Sequence, residues 1–130
     1  ENRFGRVINI SSIHGLRSSP FKSAYVTAKH GLEGLSKTTA LEGAPYGVTS
    51  NCINPSYVRT ALVEGQIADQ AKANNLEPDE VVEKIMLQRA AMKRLLEPEE
   101  VSEMIAYLCS PIANFITGSS FSIDGGWTAH

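Results

Sequence analysis

An α/β domain built on a parallel sheet is what this 130-residue sequence predicts, on three observations. Short β-branched runs recur along the chain, helical patterns separate them, and small polar residues follow the first two runs. Strands that alternate with helices need crossover connections, and crossovers pair strands in parallel. Right-handed crossovers bring the carboxyl ends of the strands to one rim, where the ligands of open α/β sheets gather.

The elements follow in order. "RVINIS", Arg6 to Ser11, is short, rich in Val and Ile, and set between Gly5 and the pair Ser12 and Gly15, which favours a buried strand. A loop then leads to a helix, with Ser23 as its expected N-cap. Ala28, Leu32 and Leu35 recur at helical spacing before Gly43 and Pro45 stop it. "VTSNCINP", Val48 to Pro55, reads as a second strand, ended by a proline that cannot donate to a ladder. "ALVEGQIADQAKANNL" is an amphipathic segment with Leu62, Ile67 and Ala71 as its expected apolar side. Two helices are predicted next, in "LEPDEVVEKIMLQRAAM" and "LEPEEVSEMIAYLC". Each sets a proline at the first helical position, where a missing N–H costs nothing. The acids that follow, Asp79 and Glu80 or Glu99 and Glu100, suit the positive end of a helix dipole. "GSSFSIDGGW" supplies a last short strand closed by Asp-Gly-Gly. No repeat, linker or low-complexity segment divides residues 1–130, so one domain is expected.

Composition narrows the function classes. An apolar content of 42% with 20% charged residues fits a soluble domain with a real core. The net charge is −2 with no run of like charges, so no nucleic-acid partner is expected. No apolar stretch is long enough to span a bilayer, and "ENRFGRVINI" lacks a signal-peptide pattern, so no membrane partner is expected and the default is cytoplasmic. Cys52 and Cys109 lack metal-ligand spacing; they read as buried free thiols, and no metal site is expected.

The chemistry gathers in "SAYVTAKHG". Tyr25 and Lys29 stand four residues apart, one above the other on a helix. Taken alone, the pair equally suits a solvated helix face. Ser12, at the end of the preceding strand, adds a third group that can converge with them. A phenol is a poor acid or base near neutral pH, and a cation one turn away brings it towards useful range by stabilising phenolate. A serine hydroxyl can hydrogen-bond the oxygen on which charge develops. Together the three groups imply proton transfer to or from a carbinol or carbonyl oxygen.

Over essentially its whole length, "INISSIHG…SAYVTAKHGLEGL…VTSNCINPSYVRTALV…ITGSSFSIDGGW" resembles the C-terminal half of a short-chain dehydrogenase/reductase. The resemblance implies half of a doubly wound, Rossmann-like parallel sheet. It implies Tyr25 as general acid/base for hydride transfer, Lys29 as the group that activates it and binds the nicotinamide ribose, and Ser12 as the orienter of the substrate oxygen. "NPSYVRT" matches the loop beside the nicotinamide, which carries over Pro55, Ser56, Val58 and Thr60 as cofactor contacts, with NAD as the implied cofactor. Ser56 departs from the glycine usual there, and a serine costs stability or cofactor fit if the position needs φ > 0 or a close backbone approach.

His14, Lys22, Gln66 and Trp127 further resemble the set found in the branch of that family that interconverts (R)-3-hydroxybutyrate and acetoacetate. They imply a small-molecule substrate, a short hydroxy acid, whose carboxylate these side chains would hold. His, Lys and Gln all supply donors for a carboxylate, with charge-assisted bonds from Lys and from a protonated His. The segment around Gln66 would act as a lid. Another reductase of the family, acting on 3-oxoacyl carrier protein, or a short-chain alcohol dehydrogenase would share Ser12, Tyr25 and Lys29 without needing the other four. A homotetramer is implied for an intact member.

The family's glycine-rich phosphate-binding turn has no counterpart in this sequence, nor do the acidic residue that selects the adenosine ribose and the asparagine of the proton relay. The chain is therefore expected to be the substrate-side half, with the dinucleotide-binding half absent. A non-catalytic fragment is the remaining alternative, because a half sheet exposes an edge and apolar helix faces.

Overall fold

A computed structural model describes residues 3–130; Glu1 and Asn2 of the charged opening lie outside the described residues. Three parallel strands form one sheet in the order β1-β2-β3: β1 (Gly5–Ile10), β2 (Val48–Pro55) and β3 (Ser120–Ile123). Arg6 pairs with Thr49 and Ile10 with Ile53, while Cys52 pairs with Ser120 and Pro55 with Ile123. The expected α/β class with parallel strands is what the chain adopts. β1 begins and ends one residue before the expected strand, so Ser11 lies just beyond it.

Helix α1 (Ser23–Gly43) crosses from β1 to β2. Ser23 is not its cap: the carbonyl of Lys22 accepts the first helical bond from Val26 N–H, and no side chain caps this end. The reason lies just upstream, where Phe21 takes φ 64° and turns the chain so sharply that the helix starts one residue early. The expected apolar side of α1 is also corrected. Leu32 is half-buried, but Ala28 is exposed and Leu35 is 59% exposed, whereas Glu33, Ser36 and Ala40 are buried. The face that meets the sheet is polar because β2 presents Ser50 and Asn54 to it, and Ser36 Oγ lies 3.0 Å from Ser50 Oγ.

From Thr49 to Pro55, β2 is buried throughout, as the middle strand of a sheet covered on both faces must be. Asn51 turns away from α1 and ties the chain before β3: its amide donates to Ile116 O and its Oδ1 accepts from Ser119 N–H.

Beyond β2, Thr60 caps α2 (Ala61–Asn74) by accepting from Val63 N–H at 3.3 Å. Ile67 is buried as expected and Ala71 half-buried, but Leu62 is exposed and lines the cleft described below. The next expected helix is broken. α3 (Pro78–Val81) is short and widens into a π-helical turn, Val82–Met86, closed by Leu87 N–H to Val82 O. The wider turn shifts the helical period so that Val81, Met86, Leu87 and Ala90 all point into one apolar cluster with Ile13, Ile67, Leu95 and Trp127.

The Glu-Pro starts of α3 and α4 (Pro98–Cys109) behave as predicted. Glu80 and Glu100 reach back to the backbone N–H of Glu77 and Glu97, closing both first turns. Cys52 is buried, and burial pushes its thiol up to about 11; Cys109, expected to be buried, is exposed at the end of α4. Asp124 closes the chain after β3 by accepting from Gly126 N–H, Thr128 N–H and the Thr128 hydroxyl. Gly125 and Gly126 sit there at φ 59° and 84°, where a side chain would be strained.

Candidate active site

Ser11 and Ser12 follow β1, Pro55 ends β2 with Ser56 just after it, and the first two turns of α1 stand over both strand ends. A cleft of about 690 Å³ opens at that rim. It is lined by Ser12, Tyr25 and Lys29, by His14, Lys22 and Gln66, and by Pro55, Ser56, Val58 and Thr60. Ten of the eleven residues singled out from the sequence therefore share one cavity wall. Trp127 does not. It is 5% exposed and stands behind His14, with ring centroids 5.8 Å apart, in an adjoining space of about 170 Å³.

Each catalytic candidate is held by its own local structure. Ser12 opens a short 3₁₀ turn (Ile13–Gly15), and its Oγ accepts from His14 N–H at 3.1 Å. With a lone pair so engaged, the hydroxyl hydrogen is left to donate elsewhere. Lys29 Nζ donates to Ile10 O at 2.9 Å, which ties the ammonium to the last residue of β1. The same nitrogen stands 5.6 Å from the centroid of the Tyr25 ring, so phenol and cation are neighbours. Tyr25 is 47% exposed, open towards the cleft, and its ring meets the His14 ring edge-on at 5.8 Å.

Three more polar groups stand beside these in the cleft. Lys22 Nζ lies 5.9 Å from the Tyr57 ring centroid. Gln66 projects from the exposed side of α2. Burial, then the charges of Lys22 and His30, hold the His14 imidazole below its ordinary pKa of 6.5, so near neutral pH it is uncharged. Its Nε2 is 2.9 Å from Ser19 Oγ. His14 thus offers a neutral polar group rather than the charge-assisted bond its residue type allows, and Lys22 is the cation among these three.

The loop from Pro55 to Thr60 is pinned rather than mobile in its connections. Ser56 N–H donates to Ile123 O at 3.1 Å, Leu96 N–H to Tyr57 O at 2.9 Å, and Arg59 N–H to Leu96 O at 2.8 Å. Ser56 does not need φ > 0, so the expected strain of serine at a glycine position does not arise. Arg59 adds exposed ion pairs to Glu64 and Glu97, at 2.8 and 2.9 Å.

Some cleft residues escaped the sequence reading. Tyr57, Leu62 and Val63 form much of its apolar wall. Leu62 was read as core because helical spacing does not tell a core-facing residue from one facing a cleft. Tyr57 carried its own signal, an aromatic within "NPSYVRT" between two expected contacts.

A sequence profile described as "Enoyl-(Acyl carrier protein) reductase" matches residues 1–128. The chain is 52% identical over 126 residues to a D-beta-hydroxybutyrate dehydrogenase of Rhizobium meliloti (strain 1021), covering 97% of this chain and 49% of that protein. A 3-oxoacyl-[acyl-carrier-protein] reductase of Rickettsia felis is 34% identical over 126 residues, covering 97% and 47%. Among solved structures, a short chain dehydrogenase family protein of Francisella tularensis matches with a TM-score of 0.90 at 27% identity, over 96% of this chain and 51% of that one. A 4-hydroxyisoleucine dehydrogenase complexed with NADH matches with a TM-score of 0.73 at 34% identity, over 96% and 47%. The chain spans about half the length of the curated relatives it matches.

Proposed function

Since the chain belongs to the short-chain dehydrogenase/reductase family, we propose that it carries the catalytic half of an NAD-linked oxidoreductase interconverting (R)-3-hydroxybutyrate and acetoacetate. One observation carries the reading: Ser12, Tyr25 and Lys29 line the same cleft as Lys22, His14 and Gln66. Proton-transfer groups and carboxylate donors then face the same small space. Identity to a D-beta-hydroxybutyrate dehydrogenase supports the substrate, standing at 52% against 34% for the 3-oxoacyl-[acyl-carrier-protein] reductase.

The residues present fit the nicotinamide end of a cofactor. Ile10, Pro55, Val58 and Leu62 give an apolar surface for a flat ring, and Lys29 keeps N–H donors beyond its bond to Ile10 for a ribose hydroxyl. A bound nicotinamide supplies the hydride acceptor. The rest of the mechanism is the chain's own. Ser12 donates its hydroxyl hydrogen to the substrate oxygen. Tyr25 accepts the carbinol proton as the carbonyl forms, and Lys29 stabilises the negative charge that the phenol oxygen carries between turnovers. Lys22 pairs with the substrate carboxylate, Gln66 and neutral His14 hydrogen-bond it, and α2 closes over it. Trp127, behind His14, fixes where that imidazole stands.

Tyr25→Phe, made in the product of the full reading frame that encodes this chain, tests the reading. General acid–base catalysis contributes about 10²–10⁴-fold, and a loss of that order in kcat is expected with the fold intact by circular dichroism. Turnover like the wild type would remove Tyr25 from the mechanism. The 130 residues as they stand hold no glycine-rich phosphate turn. By themselves they are expected to bind NAD weakly, and calorimetry that finds tight, stoichiometric NAD binding would overturn that expectation.

A further inference from the structure

Among the buried ionisable groups that the mechanism leaves unused, a carboxylate lies nearest to Lys29 along α1. Glu33 lies one turn beyond Lys29 on the same face of α1 and is 6% exposed, between the helix, the carboxyl end of β2 and the first residue of β3. Burying a carboxylate is costly unless donors surround it, and here they do. Ser120 Oγ donates to its Oε2 at 2.6 Å, and the Asn54 amide donates to its Oε1. Burial works to raise its pKa, yet the hydrogen bonds from Ser120 and Asn54 outweigh burial and hold it below the ordinary value of 4.5.

Asn54 connects this carboxylate to the site. Its fully buried amide nitrogen donates both to Glu33 and, at 2.9 Å, to the backbone carbonyl of Ser12. Both neighbours of the NH₂ end are acceptors, so the amide has one orientation, held although its Oδ1 finds no partner among the described residues. The 3₁₀ turn after Ser12 rests directly on the carboxylate. A Cβ on Gly15 would stand 2.7 Å from Glu33 Oε1 and would also overlap Ser11 Oγ. The turn thus reaches the Glu33 layer only because position 15 carries no side chain.

From this chain of contacts we infer that Glu33, acting through Asn54, is a positioning residue that sets where Ser12 stands over the reacting oxygen. The inference rests on the proton-transfer reading proposed above. It adds a second anchor to α1: Lys29 ties the helix to β1, and Glu33 ties the next turn to β2, β3 and the Ser12 turn. Both anchors lie on the helix that carries Tyr25, so they fix the relation between the phenol and the Ser12 hydroxyl.

The test is a kinetic cycle on the product of the full reading frame, with (R)-3-hydroxybutyrate and NAD. Glu33→Gln keeps the shape but replaces one acceptor oxygen by a donor amide facing Asn54 or Ser120. Its kcat is expected to fall about tenfold while KM stays within about twofold, because substrate-binding groups are untouched. On a Ser12→Ala background the same change is expected to cost less than about twofold, since the group it positions is gone. Should Glu33→Gln fail to fold, Ser120→Ala, at an exposed residue, removes one donor and is expected to lower kcat about threefold with the same dependence on Ser12. Wild-type kcat in the folded variant, or a loss fully retained without the Ser12 hydroxyl, overturns the inference alone. Ser12→Ala turning over like the wild type overturns the proton-transfer reading, and the inference with it.

Discussion

Where α1 meets the sheet, Glu33 with Asn54 and Ser36 with Ser50 are buried and paired by hydrogen bonds, beside Ala40 and Cys52; where α2 and α3 meet behind the cleft, the buried side chains include Ile67, Val81, Met86 and Leu87, linked by nothing directional. Other residues of α1 and of α2 line the cleft. Hydrogen bonds specify distances and angles, and a misplaced partner leaves a buried polar group unpaired. Apolar contact is non-directional and tolerates small slides between elements. Tyr25, Lys29 and Ser12 are mounted on the first kind of interface, and Gln66 on the helix held by the second. The difference assigns geometry to one region and stability with freedom to close to the other.

Substitutions in the two regions are therefore expected to separate. In the apolar cluster, Leu87→Ala leaves a cavity at a 1% exposed site and is expected to cost about 2–5 kcal/mol in chemical denaturation. Its folded fraction is expected to keep kcat within about twofold, the reverse of Glu33→Gln. A Leu87→Ala enzyme that is stable but slow would erase the division. At the cleft wall, Lys22→Ala, before α1, and Gln66→Ala, on α2, are expected to raise KM for hydroxybutyrate by about tenfold and about threefold, with kcat less affected. Unchanged kinetics in both would remove the carboxylate from that wall.

Acid reaches both regions in the same direction. The pKa of His14 is lowered on folding, so below its unfolded value of 6.5 the unfolded chain binds more protons than the native one. Its contribution to stability is complete above pH 6.5 and is lost as pH falls through the lowered native value. Glu33 behaves alike from its ordinary 4.5 downward. A thermal midpoint that is level from about pH 6.5 to about pH 9 and declines below pH 6.5 is expected, and His14→Gln is expected to delay that decline. The smallest effect belongs to the outer face of α1: Leu35→Ser, at a site 59% exposed, is expected to change stability by less than about 0.5 kcal/mol. A large loss there would mean that this face is covered in the protein as it works.

The same contrast explains how much could be read from the sequence. Strands and helices were legible because β-branching, Glu-Pro starts and Gly or Pro stops are local signals. The trio of Ser12, Tyr25 and Lys29 was legible because its spacing puts all three at one rim. The buried face of α1 was not: the apolar pattern pointed to Ala28 and Leu35, whereas the contact is made by Glu33 and Ser36, whose partners Asn54, Ser50 and Ser120 lie far along the chain. Polar burial has no periodicity of its own. The break after α3 was hidden for a related reason, since an unbroken helical pattern cannot announce an i→i−5 bond such as Leu87 N–H to Val82 O. Trp127 stands out only through the family resemblance, and its place behind His14 depends on the Asp124 turn that folds the terminus back.

Initial rates of NAD reduction by the product of the full reading frame test the central claim most directly. (R)-3-hydroxybutyrate, its (S)-enantiomer, a 3-hydroxyacyl thioester and a simple secondary alcohol would be compared by kcat/KM. A single charge-paired carboxylate with its supporting hydrogen bonds discriminates by about 10²-fold or more, and that margin in favour of (R)-3-hydroxybutyrate over the thioester and the alcohol is the expected result. A higher kcat/KM for the thioester or the alcohol, or no turnover of (R)-3-hydroxybutyrate, would contradict the account.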